Sequence, residues 1–287
     1  MMSEPRLAIQ NVSLSYANGR GGGAKADSAP TVKEVSLQAR PGELMIIVGP
    51  NGCGKSTLLR AVARLHRPDS GRILLEGEDI WSLSRKQAAT RLALLPQTPT
   101  APEGIRVADL VRHGRHPHQG LFRQWTSADE DAVRRALLAT DTADLMDAPL
   151  DHLSGGQRQR CWLAMALAQE TNLLLLDEPI SMLDLGHQVE VLNLVRDLAA
   201  KGITIMMVLH DLIAAARYAD TLTAMRDGRL VASGPPREIL TRRMVRDLYN
   251  VDAHILSDPD GNPVVTPAVG GAFSSLSPSN SKEQSYV

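Results

Sequence analysis

Apolar positions recur along this chain in two rhythms. Between residues 7 and 16, and again from Val32 to Ala39, they alternate with polar ones, the period of a half-buried strand. Pro41-Gly42 marks a turn, and Leu44-Met45-Ile46-Ile47-Val48 is then apolar throughout, as a strand covered on both faces would be. Arg72–Glu76 and Arg91–Leu95 predict further strands. The stretch 18–30, rich in Gly, Ala and Ser, predicts a flexible loop. From Ala101 to Leu150 the rhythm turns helical, in segments broken by Gly and Pro. One of them, Ser127–Thr140, is expected to begin at an N-cap Ser127, with Glu130 completing a capping box.

A regular alternation follows: helix Gln157–Gln169, strand Leu173–Leu176, helix His187–Lys201, strand Ile203–Leu209. Helices alternating with fully apolar strands predict an α/β fold with a mainly parallel sheet covered by helices. Asp227-Gly228 between two short strands predicts a hairpin. The last 21 residues, from Pro267, hold six serines and little that is apolar, so disorder is expected there.

The strand at 44–48 runs directly into Gly49-Pro50-Asn51-Gly52-Cys53-Gly54-Lys55-Ser56-Thr57, with helical sequence from Ser56 to Leu65 behind it. This is a phosphate-binding loop, G-x-x-x-x-G-K-[ST]. Its glycines let backbone N–H groups wrap a nucleotide's phosphates, and the following helix adds the partial positive charge of its N-terminus. A nucleoside triphosphate is the expected ligand. The strand Leu173–Leu176 ends in Asp177-Glu178, which in a parallel sheet arrive at the same edge as the loop. Asp177 suits a Mg²⁺ ligand, directly or through water, beside the Ser56 hydroxyl. Glu178 is placed to orient or deprotonate a water aimed at the γ-phosphate.

Leu153-Ser154-Gly155-Gly156-Gln157 is a second decisive run, a helix N-terminus with bare, donor-rich backbone. Here the chain resembles the ABC-transporter ATPase family, whose ATPase subunits carry the same L-S-G-G-Q run. The resemblance covers roughly residues 6–250 and implies a P-loop core, an N-terminal antiparallel β part and a helical subdomain inserted at about 98–165. Residues 251–287 would form a C-terminal extension. By the same resemblance Tyr16 stacks on adenine, and Gln97 links the nucleotide site to the helical subdomain and joins Ser56 and Asp177 around Mg²⁺. Asp184 contacts the opposite subunit, and His210 contacts the γ-phosphate. The family binds two ATP molecules in a head-to-tail homodimer, each between Lys55 of one chain and Ser154, Gly155, Gly156 and Gln157 of the other. Glu178, His210, Lys55 and Gln97 are the implied catalytic residues. Two positions depart from the common pattern. Ile180 stands where many members have Thr or Ser, and Cys53 where many have Ser.

Three stretches, Gly114-Arg115-His116-Pro117-His118-Gln119-Gly120-Leu121-Phe122, Asp184-Leu185-Gly186-His187-Gln188-Val189-Glu190 and Leu209-His210-Asp211-Leu212 through Ala215-Ala216-Arg217-Tyr218-Ala219-Asp220, resemble ATPases of ferric-siderophore importers, a subfamily that also serves haem and vitamin B12 import. The implied partners are an integral membrane permease and, through it, an extracytoplasmic solute-binding protein. His113, His116 and His118 have a spacing that fits no regular helix face, with no carboxylate or thiol close by, so a loop facing solvent or a partner is expected rather than a metal site. A formal net charge of -1 leaves no electrostatic footprint for nucleic acid or an anionic bilayer. Two cysteines, Cys53 and Cys161, build no disulfide framework and suit a reducing compartment. No apolar run approaches the ~20 residues that span a bilayer. The expected location is the cytoplasmic face of the cell membrane, peripheral through the permease. A non-transport ATPase of the same type acting on DNA or ribosomes would bring coiled coils, a second cassette or a basic stripe, and a purely regulatory ATP-binding module would not need Glu178 and His210.

Overall fold

The wholly apolar runs become the middle of a six-stranded sheet. The computed structural model describes residues 4–15, 30–120 and 125–268. In chain order the strands are β1 (Leu7–Leu14), β2 (Val32–Ala39), β3 (Leu44–Val48), β4 (Ser70–Leu75), β5 (Glu78–Asp79), β6 (Leu92–Leu95), β7 (Leu173–Asp177), β8 (Thr204–Val208), β9 (Thr221–Arg226), β10 (Arg229–Gly234), β11 (Ala253–Ser257) and β12 (Pro263–Pro267). The helices are α1 (Lys55–Val62), α2 (Arg85–Ala89), α3 (Val107–His113), α4 (Ser127–Ala139), α5 (Gly155–Ala168), α6 (Leu185–Ala200), α7 (Leu212–Tyr218), α8 (Pro236–Ile239) and α9 (Arg242–Tyr249).

The large sheet has the order β10-β9-β3-β8-β7-β6, parallel except for the β9–β10 hairpin. Every residue of β3, β7 and β8 is buried. Their side chains divide between two cores: Leu44, Ile46, Val48, Leu174, Leu176, Ile205 and Met207 face the helical side. Met45, Ile47, Leu173, Leu175, Met206 and Val208 face a second core under an antiparallel sheet of order β2-β1-β4-β5. An α/β fold with a mainly parallel sheet, an antiparallel N-terminal part and a group of packed helices (α3, α4 and α5) is therefore what the chain adopts. Asp227 and Gly228 both take left-handed backbone angles (φ 50° and 81°), the conformation that a tight two-residue hairpin requires.

Several boundaries differ from the sequence expectation. The strand predicted to reach residue 16 ends at Leu14. The helices predicted from Ser56, Gln157 and His187 start at Lys55, Gly155 and Leu185. The N-cap of α4 is Thr126, not Ser127, and its capping-box partner is Asp129, not Glu130. The shift has a cause: Asp129 is fully buried, where its carboxylate accepts the Arg115 Nε–H at 3.0 Å, and this pairing sets the start of the helix. Glu130 instead accepts from Trp125 Nε1. Helices α7 and α9 and the β11–β12 hairpin were not anticipated, although Asp211 and Thr241 cap the two helices in the ordinary way. Tyr16, nearly all of the predicted 18–30 loop, Leu121, Phe122 and the predicted disordered tail from 269 onward lie outside the described residues.

Arg115 also donates to the Ala168 carbonyl (2.7 Å) and to Glu170 (2.8 Å), tying the segment after α3 to both α4 and the end of α5. The Thr126 hydroxyl, ahead of Arg115, holds the Asp129 carboxyl below the usual carboxylate range. Removing one partner of such a buried pair strands the other. Arg115→Ala should therefore destabilise the chain by about 3 kcal/mol in a urea melt. A loss under about 1 kcal/mol, the value of an exposed pair, contradicts this role.

Candidate functional site

Because β3, β8 and β7 lie side by side and run the same way, their carboxyl ends deliver three functional segments to one edge. The segment after β3 is the loop 49–54. Gly49 adopts φ 153°, and a Cβ there would stand 2.0 Å from the Met225 carbonyl oxygen, so only glycine fits. Gly54, at φ 104°, is the N-cap of α1 and offers no side chain to cap it. The first amides of α1 therefore face the cleft as an anion site. Lys55 is 4% exposed, and its ammonium bonds to the Gly49 and Pro50 carbonyls at 2.8 and 2.9 Å. That arch shapes the loop around the place where phosphates would sit.

After β7, Asp177 is 2% exposed and accepts the Ser56 hydroxyl at 2.8 Å. Burial pushes its carboxyl above the usual range, against the Ser56 hydrogen bond. Two hard oxygen donors meeting at a desolvated carboxylate fit Mg²⁺, with remaining positions left for phosphate oxygens and water. Gln97, at the end of β6, lines the same cleft. Among the described residues no group of three or more His, Cys, Asp or Glu could hold a metal alone. His113 and His118 turn a ring nitrogen to the backbone carbonyls of Asp109 and Gln169.

Glu178 sits in the left-handed region (φ 51°), a conformation that costs a non-glycine residue on the order of 1 kcal/mol. Both of its oxygens are taken. Gln97 Nε2 donates to Oε2 at 2.6 Å, and His210 Nε2 contacts Oε1. His210 is carried there by β8, since Leu209, the residue that follows the strand, donates its backbone N–H to the Ile47 carbonyl. Residues that follow β6, β7 and β8 thus close one clamp. The cleft holds about 470 Å³ and is lined by Thr31, Asn51, Gly52, Gly54, Lys55, Ser56, Thr57, Gln97, Glu178 and His210.

The Ser154 run lies elsewhere. Ser154 caps α5 in a reciprocal capping box with Gln157, as its sequence suggests. Gly155 lines a neighbouring cavity with Thr98, Pro99, Arg158, Trp162 and the 178–183 segment. Asp184 is the N-cap of α6, and the His187 backbone N–H holds its carboxyl below the usual range. Cys53 is buried within hydrogen-bonding reach of Lys55, and burial pushes its thiol up, which suits the reading as a small tolerated side chain. Ile180 is buried. Sequence reasoning missed Thr31, whose carbonyl presses on Gly54, and Tyr249 at the end of α9. The Tyr249 hydroxyl is buried close to Gly49 and Cys53 without a hydrogen-bond partner, and burial pushes it up to about 12. Neither carries a local sequence signal, because each reaches the loop only through tertiary packing.

A family model described as "ABC transporter" matches residues 32–181. The chain is 47% identical to the petrobactin import ATP-binding protein FpuD of Bacillus anthracis, over 82% of this chain and 87% of that protein. It is 48% identical to the ferric enterobactin transport ATP-binding protein FepC of Escherichia coli (strain K12), over 83% and 89%. Among solved structures, cbiO1 of Clostridium perfringens, part of the transporter complex cbiONQ, superposes with a TM-score of 0.72 at 28% identity, over 86% of this chain and 95% of that one.

The raised Asp177 pKa has a consequence for stability. A folded-state pKa above the unfolded value means that the ionised carboxylate opposes folding above the folded-state pKa, and that this opposition fades as pH falls through the folded-state pKa and is gone below the unfolded one. Asp177→Asn keeps the shape and the Ser56 contact but removes the charge. The nucleotide-free variant should melt at a higher temperature than wild type at pH 7 by scanning calorimetry. A lower melting temperature contradicts the assignment.

Proposed function

This chain belongs to the ABC transporter family, and on that premise we propose that it is the ATP-hydrolysing subunit that powers import of an iron(III)–siderophore complex. One observation carries the reading. A single cleft joins the phosphate loop, the Ser56–Asp177 pair and the clamped Glu178, in a chain nearly half identical to subunits named for petrobactin and enterobactin transport.

In this reading Lys55 and the uncapped start of α1 neutralise the phosphates of ATP. Ser56, Asp177 and Gln97 hold Mg²⁺, which when bound spreads the charge of the transferring phosphoryl group. Glu178 orients or deprotonates the attacking water, and His210, already on its carboxylate, stands beside the γ-phosphate. Tyr16 would stack on adenine.

The cleft is completed by a second copy, head to tail, whose Ser154, Gly155, Gly156 and Gln157 reach the phosphates and whose Asp184 contacts the opposite chain. Met182 and Leu185, 85% and 77% exposed on either side of Asp184, support a partner on that face. The helical subdomain at residues 98–165, which holds α3, α4 and most of α5, presents the surface for the permease, and the permease passes cargo from an extracytoplasmic solute-binding protein. No helix among the described residues is long and apolar enough to cross a membrane, so attachment to the cytoplasmic face runs through that permease.

Glu178→Gln should lower kcat about 100-fold or more, the usual contribution of a positioned general base. Lys55→Ala should weaken ATP engagement, and unchanged turnover in either variant removes its assigned role. For cargo, uptake of labelled ferric siderophores, haem and cobalamin is compared in cells lacking this gene and complemented with wild type or Glu178→Gln. Loss of uptake of one ferric siderophore, restored by wild type alone, is the expected result. Loss confined to haem or cobalamin, or normal uptake throughout, contradicts the siderophore reading.

A further inference from the structure

His187 takes no part in the chemistry above, yet it touches both stretches that the dimer reading turns toward a second copy. Gly156, the second residue of α5, is buried against its ring: a Cβ there would stand 2.2 Å from His187 Cδ2, 2.5 Å from Cγ and 2.9 Å from Nε2. The same ring, through Nδ1, bonds to Asp184 Oδ1 at 2.8 Å, and the His187 backbone N–H reaches that oxygen at 3.0 Å. Gln188 continues the connection by donating to the Leu183 carbonyl at 2.8 Å. Gly155 completes it, since the atoms nearest to a Cβ built there are Leu183 Cδ2 at 3.8 Å and the Met182 carbonyl oxygen at 4.0 Å.

The two glycines that open α5 therefore pack against the 182–187 segment, with one imidazole as the spacer. Two bare glycines allow this approach, and a ring of fixed size sets its distance. We propose that His187 is a positioning residue that locks the Ser154–Gln157 run to the Asp184 loop, so that the two move as one body when they meet the second copy. The inference rests on the reading that this run acts on the partner chain's ATP. It also explains why the second glycine of the run is needed here: the obstacle to any side chain at 156 is the His187 ring.

Geometry of this kind matters because misplacing a phosphate-binding group by about 1 Å can cost on the order of 100-fold in rate. The ATP-binding residues of the same chain stay intact without His187, so the effect falls on turnover rather than on ATP engagement. With the full chain, His187→Ala should lower kcat about 5-fold or more, with KM for ATP within about twofold and the thermal melt showing a folded protein. Gly156→Ala should lower kcat at least as much, because its methyl displaces the ring or the helix. The decisive variant combines the two. If the ring contact is the reason for Gly156, then Gly156→Ala with His187→Ala recovers to the level of His187→Ala alone, a non-additive result. Equal harm from Gly156→Ala with and without His187 overturns the proposal, as does wild-type kcat in His187→Ala. ATP-dependent dimerisation of Glu178→Gln, followed by light scattering, separates the two failures. Its absence defeats the composite site itself, whereas its presence beside an unaffected His187→Ala defeats only the role of His187.

Discussion

Burial of β3, β7 and β8 on both faces is the constraint from which the rest of this structure follows. Strands with no solvent-facing side can place polar chemistry only at their ends. In a parallel sheet the carboxyl ends coincide. Here they bring the phosphate loop, Glu178 and His210 to one cleft, with Gln97 arriving from β6 and Asp177 behind it on the Ser56 hydroxyl. The charged groups therefore meet at the rim of a low-dielectric core, where electrostatic interactions are strong and their solvation is poor. Lys55 is arched onto backbone carbonyls, Asp177 is desolvated, and Glu178 is held in a strained backbone conformation by two donors. The desolvated Asp177 and the left-handed Glu178 oppose stability locally and are tolerated because the surrounding cores fix them.

The cleft is built on one side only. Its floor is the phosphate loop and its far wall the Gln97–Glu178–His210 clamp, while Gly155 of the Ser154 run lines the adjoining cavity. A chain that carries two candidate phosphate-binding segments lining different cavities suits a two-fold arrangement in which each meets its complement on another copy. In that arrangement the clamp, the Asp184 loop and the His187 spacer are linked by direct contacts. Hydrolysis at the clamp and contact at the Asp184 loop are then mechanically joined through Ser181, whose backbone N–H bonds to the Glu178 carbonyl.

What could be read from sequence was whatever is encoded in contiguous residues. The loop 49–57, the acidic pair after an apolar strand, the Ser154–Gln157 cap and the Asp227-Gly228 hairpin all have local physical causes, and each is found where its pattern placed it. The start of α4 was missed by one residue because the deciding interaction, Asp129 with Arg115, is tertiary. The clamp on Glu178 joins residues 81 positions apart, and no local pattern predicts that an amide and an imidazole will occupy the same carboxylate. The ring behind Gly156 and the Tyr249 hydroxyl behind Gly49 were invisible for the same reason. Helix α9 has a legible cap in Thr241 and a buried face of Met244, Val245 and Leu248, so it was within reach of a closer reading of periodicity.

The central claim is that the phosphate site of one chain is finished by the Ser154 run of another. The most direct measurement is a crystal structure of Glu178→Gln with ATP and Mg²⁺. The account predicts two chains related by a two-fold axis, with ATP on Lys55 of one and the Ser154 hydroxyl and Gly156 amide of the other within hydrogen-bond distance of its γ-phosphate. ATP bound on Lys55 with its γ-phosphate facing solvent, or met by the Ser154 run of the same chain, would contradict it.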